Sequence, residues 1–126
     1  MTDRTPGTKN EHGVYCPHEV LRLPYEKKGW RGVDRVKIEL VETPEGWRSE
    51  MSVAFFSGDF SYSGSAVSIH NKPHPTRRDA INEQVERLRY RLAKRVAPEM
   101  QGDVHKMLAW ADSLNPDQMD LFGRAV

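Results

Sequence analysis

Val36-Lys37-Ile38-Glu39-Leu40 alternates apolar and charged residues without a break. Because successive side chains of a β-strand point to opposite faces, this pattern predicts a strand with one buried and one solvated face. Thr43-Pro44-Glu45-Gly46 follows with turn chemistry, since proline presets one backbone angle and glycine tolerates a positive φ. A second strand is predicted from Trp47 to Phe56, so the two strands should form an antiparallel hairpin.

A third strand is predicted from Phe60 to Ile69, which completes a three-stranded antiparallel meander. Gly64 interrupts this strand, which indicates either a bulge or a close approach of another backbone. Upstream, apolar residues return between Val14 and Leu23, and Pro17 and Pro24 bracket most of that stretch. Its pattern fits a short strand and a short helical turn equally well, so both alternatives stay open.

Two helices are predicted after the strands. Thr76 is a suitable N-cap for a long helix over 77–95, whose apolar residues recur every three or four positions. Ala97-Pro98 ends this helix, and a second helix is predicted over 102–114, before Asn115-Pro116. Strands followed by helices predict an α+β fold, in which the meander packs on the long helix.

The composition is that of one ordinary domain. The chain has 126 residues, 37% of them hydrophobic and 29% charged, with a formal net charge of +1. We expect a single domain over 14–114, between a flexible segment over 1–13 and a tail over 115–126. A lone cysteine, Cys16, excludes an internal disulfide framework, and no apolar run approaches the length that crosses a bilayer. These features favour a cytoplasmic protein.

The tail carries a large apolar pair, Leu121 and Phe122, close to the end of the chain. A partner groove that buries such a pair gains about 1.5–3 kcal/mol for each side chain before ordering costs. Gln118 adds an amide that both donates and accepts hydrogen bonds. Two alternatives compete with docking on this kind of groove: the pair folds back on its own domain, or it fits a different partner.

The tail residues resemble the pentapeptide with which bacterial proteins bind the DNA polymerase III β sliding clamp. That pattern is Gln, then an aliphatic residue, then Ser or Asp, then Leu and Phe. This sequence matches it with Gln118, Met119, Asp120, Leu121 and Phe122. Met119 replaces the preferred Leu with a similar flexible apolar side chain. The resemblance implies an adaptor or inhibitor acting at sites of DNA replication, and the small size of the chain suits a phage or mobile-element protein.

The predicted long helix has a basic flank, formed by Arg87, Arg91, Lys94 and Arg95. At about 100° per residue these cations lie on one side of the apolar stripe, where they could follow a phosphate backbone. The alternative is a solvated face whose long side chains cover the edge of the core. A βββα order with a basic helix resembles the partial double-stranded-RNA-binding fold of HicB-type antitoxins, in element order alone.

Other chemistry has little support in the sequence. His12, Cys16 and His18 are the best candidates for a metal cluster, but their spacing matches no familiar zinc pattern. Cys16 and His18 lack a third group that would orient them as a nucleophile pair. We therefore expect neither a metal, nor a cofactor, nor an enzyme. Aromatic residues concentrate in the strands, where they pack the core or, on an uncovered sheet face, stack on bases.

Overall fold

The computed structural model describes residues 5–114 and has an α+β fold. A four-stranded antiparallel sheet in the order β1-β2-β3-β4 precedes two α-helices, with a short 3₁₀ helix between them. The elements are β1 (Glu19–Leu23), β2 (Val36–Thr43), β3 (Gly46–Phe55), β4 (Ser61–Ser63), α1 (Arg77–Leu92), the 3₁₀ helix (Pro98–Met100) and α2 (Gln101–Leu114). Over these residues, no helix combines the length and apolar character needed to cross a membrane.

The central hairpin is the one that the alternating pattern predicts. Val36 of β2 pairs with Val53 of β3, so the apolar sets of the two strands share one face. The turn closes at Gly46, whose φ of +139° few L-residues adopt and whose carbonyl accepts a 2.7 Å hydrogen bond from Thr43 Oγ1. Strict alternation was therefore a sufficient signal for this part of the sheet.

The prediction of three strands was one strand short. Glu19–Leu23 forms β1 and pairs antiparallel with β2, which decides between the two alternatives for that region in favour of a strand. Leu21 and Leu23 pack against the core from this edge. A short amphipathic stretch takes the strand conformation when a neighbouring strand offers hydrogen bonds, and β2 does so here.

One face of the sheet carries the main hydrophobic core. Both helices pack there, and α1 contacts β3 and β2 directly. The buried apolar side chains are Val36, Ile38, Leu40, Met51, Val53, Phe55, Ala80, Ile81, Val85, Leu88, Leu92, Val104, Met107 and Ala111. Helix α1 contributes every third or fourth residue, as expected for an amphipathic helix on a sheet.

Helix α1 starts where predicted but ends three residues early. Thr76 Oγ1 accepts a 3.0 Å hydrogen bond from the Asp79 amide, which confirms Thr76 as the N-cap. The last helical residue is Leu92 rather than Arg95. Lys94 and Arg95 instead lie in a tightened turn, where their amides bond three residues back. Pro98 removes a donor just downstream, so the helix has no way to continue.

The predicted third strand also stops early, at Ser63. A Cβ at Gly64 would lie 2.2 Å from Ser52 Oγ, so the backbone passes directly over β3 at this point. A close approach, one of the two alternatives for Gly64, is therefore correct. Beyond Gly64 the chain crosses the second face of the sheet, where Val67 is buried with Tyr15 and Val41.

Part of the segment predicted to be flexible is instead hydrogen-bonded to the domain. The Gly7 amide donates to the Cys16 carbonyl and the Cys16 amide donates to the Thr8 carbonyl, each at 2.8 Å. Gly13 takes a positive φ of +78° and lets the chain turn between these two stretches. Backbone pairing of this kind between polar residues leaves no hydrophobic period in the sequence.

Candidate functional site

The predicted clamp-binding peptide, Gln118–Phe122, lies outside the described residues. The structure follows the chain as far as Leu114, the last residue of α2. The folded domain therefore offers two kinds of candidate site of its own: cationic surfaces and a buried charged network.

Three of the four cations predicted on the basic flank form a continuous row, which we call the arginine ridge: Arg87, Arg91 and Arg95. Arg87 and Arg91 lie four residues apart on one side of α1, next to β4, and Arg95 follows in the turn just beyond the helix. Arg91 Nη2 donates a 2.9 Å hydrogen bond to Ser63 Oγ, and the guanidinium carbon of Arg95 lies 3.5 Å from the centroid of the Phe55 ring. Both guanidinium groups are thus held in fixed positions along the sheet edge.

The arginine ridge concentrates positive charge. Burial is the largest cause of a lowered pKa for Arg91, and repulsion from Arg95 and Arg87 lowers it further. Within residues 5–114, no carboxylate forms an ion pair with Arg91 or Arg95. On a helix, a pair of like charges four residues apart is destabilising by a few tenths of a kcal/mol. An anion bound at the ridge would relieve this repulsion.

Arg87 is the ridge member with a local counter-charge. It lies 3.4 Å from Glu50 Oε2 and donates a 3.2 Å hydrogen bond to Gln84 Oε1. Glu83, four residues before Arg87 on the helix, instead lies 2.7 Å from His74 Nε2. Of the three ridge arginines, Arg87 is therefore the one whose charge is most offset by a nearby carboxylate.

Lys94, the fourth predicted cation, lies apart from the ridge. Its Nζ is 4.2 Å from the centroid of the exposed Tyr90 ring, which gives a cation–π contact. Tyr90 and Arg87 line a shallow pocket of about 350 Å³ together with Glu86 and Arg91. Lys94 therefore belongs to a neighbouring, partly aromatic surface.

A buried charged network, missed by the sequence analysis, ties α2 to the sheet. Arg35 and Asp103 are 5% and 1% exposed and form a direct ion pair. The second Asp103 oxygen accepts hydrogen bonds from the amides of Phe56, at 2.9 Å, and Ser57, at 2.7 Å. The two ionic partners are 68 residues apart in the chain, so no local pattern could reveal them.

Glu26 completes the network from the surface. Its carboxylate accepts hydrogen bonds from Arg35 Nη2 at 2.5 Å and from Lys106 Nζ at 2.8 Å. These bonds hold the pKa of Glu26 at about 2. Burial, the largest influence on Arg35, lowers its pKa, but Glu26 and Asp103 outweigh it and the pKa is raised. Glu26 and Arg35 are therefore both charged at neutral pH.

The Glu26 contacts predict an acid-dependent loss of stability. A folded-state pKa below the usual 4.5 adds stability that is complete above pH 4.5 and is lost as the pH falls towards 2. We expect the gap in unfolding free energy between the wild type and Glu26→Gln to shrink over that window. Urea unfolding of both proteins between pH 6 and pH 3 measures it, and a pH-independent gap would contradict the assignment.

An aromatic cluster covers the Arg35 guanidinium. Tyr25 and Phe56 stack with ring centroids 3.8 Å apart, and Trp30 meets Tyr25 edge-on at 5.2 Å. The Arg35 guanidinium carbon lies 4.9 Å from the Tyr25 ring centroid. These contacts give the cluster a structural role at the end of the sheet.

An apolar groove of about 410 Å³ separates the end of α1 from α2. Its lining includes Leu92, Val96, Val104 and Leu108, and Val96 is largely exposed. This groove is the natural seat for any apolar segment that folds back onto the helices.

The histidines and the cysteine do not form a metal site in the part of the chain that the structure describes, where no group of three or more suitable ligands occurs. His18 Nδ1 accepts a 3.1 Å hydrogen bond from the Glu42 amide, whereas His12 lies near Glu11 at the surface. The cationic surfaces are therefore the features best suited to bind a ligand.

Comparison with protein-family models, curated proteins and solved structures found no match to this chain.

Proposed function

We propose that this protein is a small non-enzymatic adaptor that docks on the bacterial β sliding clamp through Gln118–Phe122. The observation that carries the proposal is the agreement of Gln118, Asp120, Leu121 and Phe122 with the clamp-binding pattern, in which Met119 is a conservative departure from the preferred Leu. Among residues 5–114, the main core is formed by residues of the sheet, α1 and α2.

Docking would act through occupancy of the clamp groove. Burying Leu121 and Phe122 supplies apolar contact, while the Gln118 amide supplies directional hydrogen bonds. A protein bound in this way either brings its domain to replicating DNA or excludes other proteins that use the same groove. The deciding experiment is a titration of purified β clamp with the full chain and with the Leu121→Ala/Phe122→Ala variant.

We propose nucleic-acid binding by the arginine ridge as a second candidate function. The specific observation that favours it is the row of three guanidinium groups beside β4, in which Arg91 bonds Ser63 and Arg95 lies over the Phe55 ring. Arginines fixed by Ser63 and Phe55 lose little side-chain freedom on binding, and their planar groups match phosphate oxygens. A domain of this kind on a clamp-bound adaptor would rest against the DNA that the clamp encircles.

The ridge proposal predicts a weaker salt dependence in a charge-removed variant. We expect Arg91→Gln/Arg95→Gln to reduce the slope of log affinity against log salt for duplex DNA by about two, since each phosphate contact contributes about 0.9. Fluorescence anisotropy across a salt series measures the slope. Arg89→Gln is the control. Arg89 lies elsewhere on α1 and pairs with Asp112, so this variant should leave the slope unchanged. An identical slope in the ridge variant would reject the proposal.

A further inference from the structure

Among residues 5–114, a buried apolar cluster covers one end of the second face of the sheet. Tyr15, Val41 and Val67 close the end nearest the β2–β3 turn. At the opposite end a pocket of about 380 Å³, which we call the open-face pocket, lies over the strands. It is lined by Arg22, Arg31, Gly32, Val33, Asp34, Lys37, Ser52 and Tyr62.

Small residues form the floor of the pocket, and Tyr62 of β4 forms its aromatic wall. Ser52 of β3 lies beneath it, and the Ala54 position opposite Tyr62 adds no bulk. The chain leaves β4 at Gly64 in direct contact with Ser52, which allows no side chain there and sets the course of the backbone behind Tyr62. The Tyr62 side chain is 46% exposed. A planar ring is therefore presented beside a shallow polar floor.

The lining is predominantly cationic, with three cations against one carboxylate. Asp34 Oδ2 pairs with Arg22 Nη1 at 2.7 Å and so neutralises one of them. Within the described part of the chain Arg31 has no ion-pair partner, and Lys37 lies a long 3.7 Å from Glu39. The remaining positive charge lies on Arg31 and Lys37, within the same pocket as Tyr62.

We infer that the open-face pocket binds single-stranded nucleic acid, with one base stacked on Tyr62 and neighbouring phosphates held by Arg31 and Lys37. An exposed aromatic ring beside cations is the combination that single-strand-binding surfaces use. Bases in a duplex are already stacked on each other, so they do not offer a face to Tyr62. An acidic peptide would satisfy the cations but would leave the aromatic ring without a planar partner.

The pocket differs from the arginine ridge in position and in ligand form. Within β4, Tyr62 lies opposite Ala54 on the open face, whereas Ser63 accepts a hydrogen bond from Arg91 of the ridge. The short strand β4 thus separates the two cationic surfaces. The inference goes beyond both proposed functions, and it can hold or fail without either of them.

The test compares oligothymidylate with an abasic strand of equal length and charge, using the full chain and fluorescence anisotropy. We expect Tyr62→Ala to weaken oligothymidylate binding about tenfold, as the loss of one stacked base implies, and to leave duplex binding unchanged. Tyr62→Phe keeps the ring and should bind as the wild type does. The wild type should bind the abasic strand about as weakly as Tyr62→Ala binds oligothymidylate.

Several outcomes would overturn the inference. They are equal binding of the abasic and thymidylate strands by the wild type, unchanged affinity in Tyr62→Ala, and displacement of oligothymidylate by polyglutamate at equal charge concentration. The first and third use the unmodified protein, so they hold even if a variant folds poorly. A weakened duplex affinity in Arg91→Gln/Arg95→Gln would concern the arginine ridge alone. A weakened clamp affinity in Leu121→Ala/Phe122→Ala would concern the tail alone.

Discussion

Asp103→Ala should lower the free energy of unfolding by about 3–5 kcal/mol, the range for breaking a buried ion pair by removing one partner. The carboxylate is 1% exposed and serves three donors: the Arg35 guanidinium and the amides of Phe56 and Ser57. Its loss removes the acceptor of both amides, which lie at half-buried positions. Arg35 would keep Glu26, which is half exposed and cannot replace the inner bond.

Urea unfolding at neutral pH measures the effect. Glu26→Gln is the matched control, because it removes the outer carboxylate of the same network. Since Glu26 forms a surface ion pair, its loss should lower the free energy of unfolding by less than about 1 kcal/mol. The double variant Arg35→Met/Asp103→Leu should be more stable than Asp103→Ala, since it leaves no unpaired buried charge. A loss below about 1 kcal/mol in Asp103→Ala would show that water reaches the pair.

Asp103 also illustrates which parts of the fold could be predicted from the sequence. The strand over 36–40 and the stripe of α1 are local periodic patterns, and each was recognisable from spacing alone. Asp103 and Arg35 have no such pattern, because their pairing depends on α2 docking at the end of the sheet. A charged residue in a helical first turn predicts only a favourable dipole contact.

Glycine explains a second difference between prediction and structure. The stretch 60–69 has the composition of a strand, yet pairing ends at Ser63 because the chain turns onto the second sheet face at Gly64. The sequence indicated an irregularity at Gly64 but not the direction in which the chain turns there. That direction depends on Ser52, a small residue of another strand, and it creates the wall of the open-face pocket.

The basic flank was predictable for a similar reason to the core. Helical spacing placed Arg87, Arg91 and Arg95 on one side of the apolar stripe, and the structure has them on one side. Lys94 and Arg95 both lie beyond Leu92, the last helical residue, and Lys94 contacts the Tyr90 ring whereas Arg95 lies over Phe55. Beyond the end of a helix, spacing alone no longer decides where a side chain points.

Leu121→Ala/Phe122→Ala should weaken β-clamp binding about 100-fold or more. Each truncation removes apolar burial of about 1.5–3 kcal/mol, and every 1.4 kcal/mol changes affinity about tenfold. Calorimetric titration of the full chain against purified clamp measures the loss. Met119→Leu restores the preferred residue of the pattern and should bind at least as tightly as the wild type. Equal affinity in the double alanine variant would reject clamp docking.

The same variant separates docking from fold-back. If Leu121 and Phe122 occupied the groove between α1 and α2, near Val96 and Leu108, their truncation would lower the unfolding free energy by several kcal/mol, roughly 1.5–3 for each buried side chain. A docking peptide predicts an unchanged urea midpoint together with lost clamp affinity. Stability lost with clamp affinity retained would instead identify the pair as a staple of the domain. The two measurements therefore show whether Leu121 and Phe122 are buried in the partner or in their own domain. Burial in the partner contributes to the free energy of binding, and burial in the domain contributes to the free energy of unfolding.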